Sequence, residues 1–166
     1  MGFAGEVNAI AIDAFNDSEI LTAVKNGSGN LELIAWRCAP TDTEVTRVSD
    51  SGSQAGSIGG VALSVILRTA ITAVRNGSGN LFMILWNMPP GIGSITRTWD
   101  SGTTAGEASR IAMALLPSNI IVTAVRNGSG NLGADFGAPG AQRNALAPSR
   151  QRITGRIREP RHDRRH

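Results

Sequence analysis

The chain has 166 residues, sixteen Lys and Arg against thirteen Asp and Glu, and 41% hydrophobic residues, enough for a domain with a buried core. Its single cysteine, Cys38, excludes an intrachain disulfide framework and a multi-cysteine zinc site. Charge is uneven: residues 1–136 carry −3 and no histidine, so a Ser–His–Asp triad has no base there, while residues 137–166 carry +6 and both histidines. No basic leader followed by an apolar run opens the chain. The longest apolar run, Leu81–Trp86, is far short of the ~20 residues a membrane helix needs. The sequence therefore reads as cytoplasmic if whole, and as extracellular if cut from a longer secreted protein.

Taken in order, the elements repeat. Thr22-Ala-Val-Lys-Asn-Gly-Ser-Gly-Asn-Leu31 recurs as Thr72 to Leu81 and again as Thr123 to Leu132, with Arg for Lys. Trp36 matches Trp86, Thr46-Arg47 matches Thr96-Arg97, and Asp50-Ser51-Gly52 matches Asp100-Ser101-Gly102. Ala4-Gly5, Ala55-Gly56 and Ala105-Gly106 open three copies of one segment, which divide the body into 4–54, 55–104 and 105–132. The middle copy predicts four strands: Gly60 to Ile66, Ala70 to Asn76, Leu81 to Asn87 and Ser94 to Asp100. Asn-Gly followed by Ser-Gly between apolar runs is a hairpin signal, because these residues reach φ > 0 cheaply. Phe82-Met-Ile-Leu-Trp86 is apolar on both faces and must be covered on both sides. Ser94 to Trp99 alternates, as a half-exposed outer strand does. Ten strands are expected in all, ending with Ile120 to Asn127. After Leu132 the chain reads Gly133-Ala-Asp-Phe-Gly137 where the earlier copies carry an apolar strand and a Trp. The third copy is therefore expected to stop there, with 133–166 a disordered basic tail.

Period, strand count and turn chemistry together resemble β-propeller blades, over roughly residues 4–132. The resemblance is to blades in general. Trp99-Asp100 occurs in one copy only, and the Asp-Ser-Gly step lacks further positions of a sialidase Asp-box. It implies an all-β fold of tandem four-stranded antiparallel repeats, an incomplete propeller, with a β-trefoil as the alternative. A propeller closes with about four to eight blades, and the chain supplies fewer than three full periods. It is thus expected to self-associate into a ring or to be a fragment of a longer protein.

Chemistry is sparse. The Gly-Ser-Gly steps lack the Gly-Lys-Ser/Thr and helix of a phosphate loop and read as turns. Asn16, Asn26, Asn76 and Asn127 fall in glycosylation sequons, three of them in repeat turns. Cys38 has no partner base, and Asp13, Glu32 and Asp42 do not recur. The repeat places Arg47 with Asp50 and Arg97 with Asp100. These pairs, with Trp36 and Trp86 as stacking surfaces, are the candidate ligand site for a carbohydrate or a protein, set against turn capping and core packing. Lys25, Arg75 and Arg126 also recur. No cofactor or metal is expected. The expected function is a non-catalytic repeat module with a multivalent binding surface. The alternatives are a scaffold portion of a larger propeller-containing hydrolase and a truncated product with no function of its own. Nucleic acid is the less favoured partner, through tail arginines Arg143 to Arg165, because no aromatic residue interleaves them.

Overall fold

In the computed structural model, residues 7–38, 44–91, 93–102, 106–117 and 119–137 are described. They form eleven strands and no helix: β1 Val7–Asn16, β2 Glu19–Asn26, β3 Leu31–Cys38, β4 Val45–Asp50, β5 Ile58–Ile66, β6 Thr69–Asn76, β7 Leu81–Asn87, β8 Thr96–Asp100, β9 Ala108–Leu115, β10 Ile121–Asn127 and β11 Leu132–Gly137. Each period makes one antiparallel sheet in which consecutive strands are neighbours. The first sheet is β1 to β4, the second β5 to β8 and the third β9 to β11. This is an all-β stack of repeated sheets in an incomplete propeller-like arrangement. The trefoil alternative is overturned, because the strands group period by period in open sheets.

The sequence dictates the hairpins locally. The Oδ1 of Asn26 accepts the amides of Ser28 and Asn30, that of Asn76 those of Ser78 and Asn80, and that of Asn127 those of Ser129 and Asn131. In each copy the second Gly of Asn-Gly-Ser-Gly closes the turn at positive φ, 84°, 86° and 81° for Gly29, Gly79 and Gly130. That is the type I turn with a left-handed glycine that joins hairpin strands with the right twist. The same turn also latches the next sheet. The Gly29 carbonyl accepts the Ile58 amide at 3.0 Å, and the Leu31 amide donates to the Gly56 carbonyl at 2.9 Å. Gly79, Ala108, Leu81 and Gly106 repeat both bonds at 2.9 Å. The most regular stretch of the sequence is thus the joint between sheets as well as a hairpin.

One finding corrects the expected strand count. The third sheet does not stop at Leu132: β11 pairs residue for residue with β10, from Leu132 opposite Arg126 to Gly137 opposite Ile121. Loss of the apolar side chains does not abolish the strand, because its ladder is made by main-chain groups that β10 offers on its free side. Volume shifts across the pair. Ala70 faces Trp86 in the second sheet, and Ile121 faces Gly137 at the equivalent place in the third. Residues 138–166, which include the tail arginines Arg143 to Arg165, lie outside the described residues, as does Asp42.

The core lies between sheets. Leu21, Ala23, Leu31 and Leu33 of the first sheet bury against Leu63, Val65, Val74, Ile84 and Trp86 of the second. Ala73 and Leu81 of the second bury with Ala108 of the third, flanked by Met83, Ile111 and Met113. Each sheet thus has two unlike faces, a Leu face and a Trp face, and the Leu face of one covers the Trp face of the next. First strands stand closest together: β5 touches β1 and β2, and β9 touches β5 and β6. Asp13 Oδ2 accepts the Val65 amide at 2.8 Å across the first joint. At about 25 cal/mol per Å² of apolar surface, this inter-sheet burial is the main stabilising contribution.

Candidate functional site

The recurrent Arg–Asp pairs are built the same way twice. The fourth strand ends in Asp-Ser-Gly, and the Asp caps the turn: Asp50 Oδ1 accepts the Gly52 amide and Asp100 Oδ1 that of Gly102, each at 3.0 Å. Gly52 and Gly102 sit at φ 57° and 60°. The intervening serine completes the third strand. Ser51 Oγ accepts the Leu33 amide and Ser101 Oγ the Met83 amide, both at 2.9 Å. The other carboxylate oxygen takes the arginine three residues earlier, Arg47 Nη2 on Asp50 Oδ2 at 2.9 Å and Arg97 Nη2 on Asp100 Oδ2. Each arginine has a second anchor. Arg47 donates to Glu32 Oε1 at 2.7 Å. Arg97 donates to the Gln54 carbonyl at 3.0 Å and lies over the Phe82 ring, 5.5 Å from its centroid. The Gly102 amide holds the Asp100 carboxyl below its ordinary value of 3.8; burial opposes the shift, and the Arg97 contact adds to it.

Trp36 and Trp86 are placed elsewhere. Both are buried, and each indole Nε1 donates to the threonine across the sheet, Trp36 to Thr22 Oγ1 at 2.9 Å and Trp86 to Thr72 Oγ1 at 3.0 Å. Of the two expectations for them, core packing is the one their burial matches, since a ring closed into the core presents no face to solvent. The six candidate residues are therefore not one site. The Arg–Asp pairs cap the outer strand, and the tryptophans fill the core.

A different constellation stands out. An open cleft of about 600 Å³ runs along the first strands of all three sheets. Its polar groups are Arg75, Ser109, Arg110 and Arg126, and no carboxylate lines it among the described residues. The Nε of Arg75 is buried and has no hydrogen-bond partner among the described groups. Arg75 and Arg126 are visible in the sequence as a recurrent cation beside the turn. Arg110 is not, because it occurs in one copy and only the strand register sets it opposite Arg126. No group of three or more His, Cys, Asp and Glu capable of holding a metal ion occurs among the described residues. Cys38 is a free, partly exposed thiol at the end of β3. No helix among the described residues is long and apolar enough to cross a membrane. No protein-family model matches the chain, and no curated protein matches it in sequence.

Proposed function

We propose that the chain is a non-catalytic repeat module of the propeller-blade type that binds an acidic protein segment through its first-strand cleft. The observation that carries this reading is the meeting of Arg75, Arg110 and Arg126 in one open groove with no lining carboxylate among the described residues. Arg presents several N–H donors in a plane that suits a carboxylate. A protein ligand is favoured over a carbohydrate because the two recurrent tryptophans are buried. Because Arg75 and Arg126 recur at one position of successive sheets and line the same cleft, successive acidic side chains of a ligand find successive cations, and weak contacts add as avidity.

The test is calorimetric titration of a Glu-rich peptide into the full chain, at low and at high salt. Binding is expected at low salt, weakened by salt, and lowered at least tenfold in the Arg75→Ala/Arg126→Ala double variant. No binding at low salt, or equal binding by the double variant, contradicts the reading. Retention on a glycan array with none on the peptide would transfer the site to a carbohydrate.

A further inference from the structure

We propose that the chain is half of a closed ring and that a second copy of itself covers both of its end faces, head to tail. The register makes the comparison between sheets one of equivalent positions. Leu31, Leu81 and Leu132 each stand opposite the recurrent cation, Lys25, Arg75 and Arg126. Leu31 and Leu81 are 0% and 2% exposed, because the next sheet covers them, whereas Leu132 is 80% exposed. The other end mirrors this. Ile12, Leu63 and Met113 each stand opposite the threonine of the repeat, Thr22, Thr72 and Thr123. Leu63 is 8% exposed beneath the first sheet, while Ile12 and its neighbour Ile10 are 62% and 63% exposed. Val7 is exposed too, where Ile58 and Ala108 are buried and bonded to the preceding turn. On the remainder of this Trp face, Val24, Ile34 and Trp36 form a small buried cluster of their own.

The open parts of the two ends, the β1 side of the Trp face and Leu132 on the Leu face, are thus counterparts of surfaces that meet at the two internal joints. Apolar surface left open at both ends is the mark of a missing partner, and the partner whose shape is already specified is this same chain. An interface that joins unlike surfaces propagates until it closes. The described residues of one chain supply three sheets. Two supply six, within the roughly four to eight that close a propeller, and three copies overshoot that range. Ile10 and Leu132 also line the same open cleft. A single second copy therefore reaches both at once, and Arg126 keeps its place in the cleft beneath it, as Arg75 does beneath the third sheet.

The test is light scattering on the eluting full chain, with the variants Ile10→Glu and Leu132→Lys. Both side chains lie outside the single-chain core, so each variant is expected to keep its far-UV circular dichroism. The wild type is expected to elute as a dimer and each variant alone as a monomer. An equimolar mixture of the two variants is expected to return to a dimer. Such a mixed pair contains one unaltered interface and one in which the carboxylate introduced on one copy meets the ammonium introduced on the other. A like-to-like dimer cannot recover in this way. A wild type that is monomeric at every concentration, open polymers, dimeric or unfolded single variants, or a mixture that stays monomeric would each overturn the proposal.

Discussion

Asp100, in the sequence a candidate for either a turn cap or a ligand group, is engaged in the structure as a turn cap. Its two oxygens are committed to the Gly102 amide and to Arg97. Residue identity and recurrence are legible in the sequence; the commitment is not, because it depends on the turn that brings an amide two residues ahead onto the carboxylate. The consequence is a pH dependence of defined sign. A carboxyl whose value is lowered on folding contributes stability above its unfolded value, near 3.8, and loses that contribution as pH falls through the folded value. Chemical denaturation of wild type and Asp100→Asn should therefore differ at neutral pH, and the difference should fade as the solution is acidified below the ordinary carboxylate range. The effect is expected to be small, since the Arg97 partner is surface-exposed enough to be screened. A difference that grows toward low pH would reverse the assignment.

At the scale of the element, the four strands of the middle copy are legible almost to the residue, because turn chemistry and alternation agree there. The break at Pro89-Pro90-Gly91 falls between β7 and β8, with Gly91 at φ 84°. What misleads is β11. Side-chain pattern signals burial, and Gly133-Ala134 buries little, yet a strand also forms wherever a neighbour leaves its main-chain groups unpaired. Trp86 stays open between a stacking surface and a core group in the sequence for a related reason. An aromatic in an apolar run is ambiguous until a buried acceptor for its N–H is found, and Thr72 lies fourteen residues away in sequence. Thr72→Val leaves that N–H unpaired in the core and is expected to cost about 1–3 kcal/mol. The same change in a Trp86→Phe background should cost clearly less, since no donor is then stranded. Equal costs in the two backgrounds, measured by urea unfolding, would show that the bond contributes nothing.

For the whole molecule, the periodicity is enough to predict a stack of sheets that cover one another, and the structure supplies the detail that the sequence withholds, namely which face meets which. At both joints a Leu face meets the following Trp face, and the repeated Asn-Gly-Ser-Gly turn locks that order with main-chain bonds to the next sheet. The cleft cations are only half legible, because Arg75 and Arg126 belong to the repeat while Arg110 enters the groove through the register of β9 on β10. The central claim is that unlike faces of successive sheets are made to cover each other and that the two left over at the ends are matched. Equilibrium sedimentation of the wild-type chain tests it most directly. A single species at twice the 17.3 kDa chain mass is expected; a single species at the chain mass itself, unchanged on concentration, would rule the matched ends out.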